Sequence, residues 1–458
     1  MSEEACQTGG DRDVMIDEVS VPGIGIRRSL MCGLITLALV MGFRTFQFFP
    51  GMLYVQETWY AACFLIVLFV YPFWKMRAGL RFTRLELYLF LLMIADLVLA
   101  AWRAQKIFGQ PLAYGILSQR EIVLIAALPT LANMLRRGTV KLADLESVLL
   151  YLAWGTFALY SGARLLLRPS SFSAYGEGLV AHPMAGAEPT FKFQPYFLIF
   201  GVFYYAILGI RTERRRYYLA SAILFVAALG GSGRGLVVSA VATFIFFLYR
   251  IRGLRGATIM ALKSACIAAL LGAAVYVIIP ERLFARIAGF SDAIAVVVAG
   301  STTGDSSANA RLFETLAALP YIQAHPLLGN GVVSHQWQGG SEMAMGEYFF
   351  ASDIGIIGIV FSFGILGLLL YAFQYRIAWL AVARLPDSIQ NPLLDATKAF
   401  LLFSAFYSLE TGLCVWDAGT TLFFVTLLDS VAARAFTLNS HDNRTLEKWL
   451  AQRPALSA

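Results

Sequence analysis

Apolar residues arrive in long blocks separated by short polar links, at about 30–49, 58–74, 85–102, 121–135, 145–167, 193–210, 217–232, 235–250, 258–279, 348–375, 395–411 and 417–436. Each approaches the roughly 20 residues that a helix needs to cross a bilayer. The pattern predicts an all-α fold, a polytopic transmembrane helical bundle of about twelve spans; the blocks at 121–135 and 217–232 are short. It divides the chain into spans 1–9 over 27–279, a long loop over 280–347 and spans 10–12 over 348–436, with polar tails at 1–26 and 437–458. The acidic first tail is expected to be disordered, and no cleavable leader pattern precedes the first block. No pair of Gly/Pro-broken helices in matching halves is evident.

The loop 280–347 is too long for a simple connection and is expected to be partly helical and functional. After the polar tract AGSTTGDSSAN, Leu312, Leu316 and Leu319 recur at helical spacing within Arg311–Pro320, with Arg311 and Glu314 off that stripe. HPLLGNG then breaks the helix, because Pro326 disfavours helical backbone before it and Gly329 and Gly331 permit a tight turn.

Composition agrees with the block pattern. The chain of 458 residues is 58% hydrophobic and 14% charged, about half the charge of a soluble protein. The formal charge of +7 is no nucleic-acid footprint, because the basic residues lie in short clusters between apolar blocks. Those clusters, around Lys75/Arg77/Arg81/Arg84, Arg136/Arg137/Lys141, Arg211/Arg214–216, Arg250/Arg252/Arg255 and Arg376/Arg384, all fall in even-to-odd connections. The positive-inside rule then puts both termini in the cytoplasm and the 280–347 loop outside. Five scattered cysteines and the absence of any His/Cys or paired-acid cluster of ligand spacing outside predict neither a disulfide framework nor an obligatory metal or other cofactor.

Several side chains on the outer face could carry chemistry. GGSGRG at 230–235 joins two spans; free backbone amides and Arg234 suit a phosphate, although a glycine-dependent hairpin with a snorkelling arginine explains it equally well. Arg311 is a second candidate anion clamp, against a plain headgroup contact. His335, in the glycine-rich SHQWQGG segment, is a candidate base. His325, just before Pro326, either shapes the turn or meets a glycan. His182 could line an acceptor groove. Glu347 sits at the mouth of the tenth span and could accept a proton. Glu410 and Asp417 bracket the last outward turn and could bind sugar hydroxyls. Asp96, inside the third span, must face protein or water, and is either a packing partner of an arginine or tyrosine or part of a pathway.

SGRG opening a span, R-x2-E-x5-P-x4-HPLLGNG in a long outer loop, and DIGIIGIV at the start of the next span resemble the O-antigen ligase and polymerase family. The similarity covers roughly Leu229 to Leu370. The resemblance implies an integral membrane glycosyltransferase of the bacterial inner membrane, acting on its periplasmic face without a metal. The donor would be a glycan on a polyprenyl diphosphate and the acceptor another glycan or a lipid, with membrane lipids and a chain-length regulator as further partners. Arg234 and Arg311 stand at the family's arginine positions and would hold the leaving diphosphate. Where ligases of this family carry a His-Asn pair, this chain reads Gly346–Glu347, which leaves His335, Glu347 or a different residue as the base. That favours a polymerase of repeat units over a ligase; a transporter or flippase, with Asp96 as coupling site, is the reading from another class.

Overall fold

The computed structural model describes residues 22–42, 52–77, 81–168, 180–181, 190–191, 194–231, 235–249, 306–337, 340–345, 349–385 and 391–439, with isolated positions at 253, 255, 256, 258, 259, 262 and 302. Apart from a two-residue antiparallel ladder, β1 (Val180–Ala181) with β2 (Thr190–Phe191), its regular structure is helical. In chain order come α1 (Pro22–Gly42), α2 (Met52–Leu65), α3 (Tyr71–Arg77), α4 (Arg84–Phe108), α5 (Leu112–Ser118), α6 (Arg120–Arg137), α7 (Leu142–Leu166), α8 (Tyr196–Thr212) and α9 (Arg215–Gly231). There follow α10 (Gly235–Tyr249), α11 (Ser306–Ala324), α12 (Gly340–Met345), α13 (Gly355–Arg384), α14 (Pro392–Thr411), α15 (Leu413–Trp416) and α16 (Ala418–Asn439).

Helices therefore occupy every apolar block that the description reaches; of the block at 258–279 only isolated residues are described. Among the described residues four helices are long and apolar enough to cross a membrane: α4, α7, α13 with its Ala351–Ile354 lead-in, and the Ala418–Thr437 part of α16. A fifth arises if α5 and α6, bent by 49° at their junction, form one span. The first helix begins at Pro22, inside the 1–26 tail expected to be disordered.

α8 is the central post, with Tyr196 to Tyr204 buried in unbroken succession. Aromatic rings key it to its neighbours: Phe200 stacks on Phe424 of α16 at 5.3 Å, and Phe203 meets Phe403 of α14 at 6.1 Å between centroids. The outward faces are apolar too. Leu87, Leu91, Ile94, Val98 and Trp102 form an exposed stripe along α4 at helical spacing. Water would penalise such a stripe and hydrocarbon does not; the chain has the surface of a membrane protein.

Two ion pairs lie at helix ends. Arg211, at the C-terminal end of α8, pairs with Asp395 in the first turn of α14, so those helices are antiparallel. At the α3–α4 hairpin the ammonium of Lys75 donates to the Glu86 carboxylate at 2.5 Å and to the Arg81 carbonyl at 3.0 Å.

The long loop does not hang free. The described part of 280–347 folds onto the bundle and enters a break in α13. Inside that helix Gly364 has φ 68° and ψ −173°, a backbone region that only glycine occupies readily. An unbroken α-helix would bond the amides of Ile365 and Leu366 to the carbonyls of Phe361 and Ser362. Instead, Ile365 and Leu366 donate to the carbonyls of Pro326 and Leu327, at 2.9 and 3.1 Å. The vacated carbonyls of Phe361 and Ser362 accept from the amides of Asn330 and Gly331, both at 2.8 Å. The HPLLGN turn has replaced two rungs of the helix by four bonds of its own. Proline can stand there because only its carbonyl is used.

Close approach explains the glycines. A Cβ on Gly364 would lie 2.3 Å from the Leu327 carbonyl oxygen, and one on Gly331 would lie 2.3 Å from the Ala104 amide of α4. Gly364→Ala should therefore destabilise the protein by at least about 1–3 kcal/mol from backbone strain alone. Gly162→Ala, on α7 with nothing within 4 Å of its would-be Cβ, should be neutral or stabilising by up to about 1 kcal/mol. Thermal unfolding of the two variants in nanodiscs compares them; equal midpoints would refute the inserted turn.

Candidate functional site

α11 presents the face opposite to the one its leucines suggest. Phe313 and Leu316 are more than half exposed, whereas Glu314 is 1% and Ala318 0% exposed. The small Ala318 lets the helix approach closely enough to pack against Phe349, Ile354 and Phe361 around the start of α13. The helix also begins earlier and runs past Pro320, over Ser306–Ala324. Its polar side is thereby turned towards the bundle, carrying Arg311 and Glu314 with it.

Arg311 meets Glu410, in the last turn of α14, with Nη1 donating to Oε1 at 2.5 Å. Two glycines give other segments access to this pair. Gly355, with φ 53° at the start of α13, lies so near the end of α14 that a Cβ would sit 2.2 Å from the Leu409 carbonyl oxygen. Gly235, the first residue of α10 and the final glycine of the GGSGRG turn, would place a Cβ 1.0 Å from Glu410 Oε2. The starts of α10 and α13, the end of α14 and the polar face of α11 thus converge on one carboxylate.

Glu314 lies one turn along from Arg311 on the same helix. Its Oε1 accepts the Phe350 amide at 3.1 Å, and its buried Oε2 has no hydrogen-bond partner among the described residues. Burial, reinforced by the charge of Asp353, pushes the carboxyl up to about 7. Burial works against the charge of the Arg311 guanidinium, but the bond and charge of Glu410, with Asp353 and Tyr407, together outweigh it and raise its pKa, so it stays charged.

His335 stacks on Phe350, with ring centroids 5.2 Å apart. It lines a cleft of about 530 Å³, open mouth included, with Val333, Ser341, Phe349, Ser352 and Trp416. His325 is placed elsewhere. Its Nδ1 lies 2.9 Å from Asn330 Oδ1, while Asn330 Nδ2 donates to the Phe361 carbonyl at 3.0 Å. Because that carbonyl can only accept, the amide orientation is fixed and His325 Nδ1 must be the donor. His325 belongs to the turn inserted into α13, in keeping with its position before Pro326, and Asn330 caps the broken helix there. Asp417 accepts from the Tyr196 hydroxyl at 2.8 Å and faces a different cleft from His335. His182, Arg234 and Glu347 lie outside the described residues.

The structure thus pairs Arg311 with Glu410 and gives His325, His335 and Asp417 other partners in Asn330, Phe350 and Tyr196. Sequence reasoning passed over three residues. Glu314 was visible three positions after Arg311, Asn330 within HPLLGNG, and Trp416 as a large aromatic in a turn. Among the described residues no group of three or more His, Cys, Asp or Glu side chains is placed to hold a metal ion. No family model and no curated protein sequence matches the chain.

Glu314 makes stability depend on pH. A carboxyl raised from the ordinary 4.5 to about 7 in the folded state favours folding fully below pH 4.5, and that contribution is lost as pH rises through 7. Relative to Glu314→Gln, the native protein should lose on the order of 3 kcal/mol between pH 4.5 and pH 8. Parallel unfolding midpoints across that range test it; curves of identical slope would place the Glu314 carboxyl near its ordinary value.

Proposed function

We propose that this chain is a membrane glycosyltransferase that polymerises polyprenyl-diphosphate-linked oligosaccharide repeat units on the periplasmic face of the bacterial inner membrane. In this reading it crosses the membrane about twelve times with both termini in the cytoplasm, and α11 with the inserted turn lies outside. The observation that supports it most is the Arg311–Glu410 pair, with the glycine that directly follows Arg234 packed on its carboxylate. Arg311 itself and the residue that directly follows Arg234 thus meet at one carboxylate; Arg234 lies outside the described residues.

The chemistry follows from charge. The acceptor hydroxyl oxygen attacks the anomeric carbon of the donor, its bond to the diphosphate breaks, and the hydroxyl proton passes to His335 or Glu347. Negative charge grows on the departing diphosphate. Arg311 has five N–H donors in a fork, and among the described residues Glu410 is its partner, through Nη1. The remaining donors can meet phosphate oxygens while Glu410 holds the fork in place, so the stabilising dipoles are oriented before the reaction begins. Arg234 supplies the second cation.

Purified protein in nanodiscs, supplied with a short-chain polyprenyl-diphosphate oligosaccharide, should build polymer. Arg311→Ala should lower that rate by roughly 10²–10³-fold, as loss of a transition-state donor does, and Arg311→Lys should recover part of it. Undiminished polymer from Arg311→Ala would sink the assignment. In cells lacking the protein, single repeat units should collect on the outer leaflet. Long polymer stranded on polyprenyl diphosphate would instead indicate a ligase, and intermediates held on the cytoplasmic leaflet a flippase.

A further inference from the structure

Packing alone does not explain Glu314. It is 1% exposed, on a helix whose outward face is apolar, and its buried Oε2 has no hydrogen-bond partner among the described residues. A glutamine would accept the Phe350 amide equally well and bring no charge to bury. A carboxyl kept at this position, three residues after Arg311, points to a task beyond fastening α11.

What Glu314 holds leads to His335. Its Oε1 accepts the Phe350 amide at 3.1 Å, and beside that bond the Ser341 hydroxyl donates to the Phe349 carbonyl at 2.7 Å. The Phe350 ring in turn stacks on the exposed His335 imidazole, with centroids 5.2 Å apart and planes inclined by 29°. A general base is commonly aimed by a hydrogen bond from a third group. Among the described residues the His335 side chain makes no hydrogen bond, so its orientation is set by this stack and by Gly340, where a Cβ would lie 3.0 Å from His335 Cα.

Arg311 anchors the same turn of helix elsewhere. It ties α11 to the end of α14 through Glu410, while Glu314 ties it to the segment that enters α13. Residues three apart on a helix are neighbours, so one turn of α11 sets the spacing between the guanidinium and the ring on which His335 lies. Transfer depends on that spacing. As the acceptor oxygen bonds to the anomeric carbon, the bond from that carbon to the diphosphate oxygen breaks, its electron pair leaves with the diphosphate, and the hydroxyl proton goes to the base. Clamp and base therefore act on opposite ends of one substrate at once. We infer that Glu314 is a positioning residue for this reaction, holding Phe350 and the His335 imidazole at a fixed distance from Arg311. The inference rests on the glycosyltransferase reading and takes His335 as the base. Protonation enters through what faces the carboxyl: burial and the charge of Asp353 oppose its ionisation, and the Phe350 amide and Arg311 favour it. Pushed up to about 7, Glu314 is neutral below that pH and charged above it; the charged form, buried beside Asp353, favours opening of the joint to water.

NMR of the full-length protein in nanodiscs, carbon-labelled at histidine Cε1, tests the linkage without substrate. His335→Gln identifies the His335 signal, and Phe350→Leu moves it by removing the ring current. Glu314→Ala should move it the same way while the other histidine signals stay, and Glu314→Gln should leave it in place. In the transfer assay Glu314→Ala should lower kcat by about 10²-fold, as a misplacement of roughly 1 Å does, with KM nearly unchanged. The native rate should fall as pH rises through 7, and Glu314→Gln should abolish that fall while keeping the rise through the ordinary histidine range. Should Glu314→Ala not fold, the pH profile of Glu314→Gln decides. A His335 signal unmoved in folded Glu314→Ala, or the same alkaline fall in native and Glu314→Gln protein, would overturn the inference. Undiminished transfer in Glu314→Ala with an unmoved signal refutes the positioning role alone. No transfer by the native protein, with the His335 signal moved by Glu314→Ala, refutes the glycosyltransferase reading and leaves the linkage from Glu314 to His335 standing.

Discussion

A bilayer offers no water to a backbone amide, so each helix that is interrupted within it must find replacement partners inside the protein. The break at Gly364 meets this requirement with a piece of chain from outside the bundle. Pro326 and Leu327 supply acceptors four residues before Asn330 and Gly331 supply donors, which is the spacing of the two helical rungs they replace. The inserted turn therefore satisfies α13 as an added turn of helix would. It also ties α11, which runs directly into His325, to the Phe361–Leu366 stretch of α13 and to α4, where the Arg103 side chain donates to the Gly329 carbonyl at 2.9 Å. Arg311 has a fixed place because the turn beyond it has one.

That arrangement bears on what the break is for. Discontinuous helices in transporters leave backbone groups open to ions or substrate. Here the amides and carbonyls on either side of Gly364 are bonded to the loop. A break sealed in this way is a structural joint, and it lends no weight to a transport site at that point. Asp96, 2% exposed within α4, has a tyrosine partner, the Tyr371 hydroxyl donating to its Oδ1.

The sequence made the helices legible because hydrocarbon demands long apolar blocks, and the helix bounds differ from the blocks mostly at their ends. It did not reveal the break. Gly355, Gly358, Gly364 and Gly367 all stand in one apolar run, and nothing local distinguishes the one that takes positive φ mid-helix; that is decided by HPLLGN, more than thirty residues away. The orientation of α11 was not legible for a related reason. A leucine stripe marks the buried face only when the surroundings are water. On a chain whose exterior is apolar, the face with Glu314 and Ala318 can be the buried one, and the leucines can point outward. HPLLGNG was recognised as a motif, with His325 left between shaping the turn and meeting a glycan; in the fold its His and Asn join the broken helix. Arg311 and Glu410 were each visible as outer-face charges, but nothing in their spacing of 99 residues indicated a pair.

The pair itself is better understood as a holder than as a source of stability. Both side chains are partly exposed, 41% for Arg311 and 30% for Glu410, and ion pairs so placed contribute little to folding. Two glycines nevertheless clear space around Glu410, and substitution of either would drive a Cβ into its side chain or backbone. Close packing around a weak ion pair makes little sense as stabilisation. It makes sense if the position of the guanidinium matters, because an arginine fixed by one carboxylate keeps its other donors aimed and spends no ordering entropy when an anion arrives. The exposure that weakens the pair is also what leaves those donors within reach of a ligand.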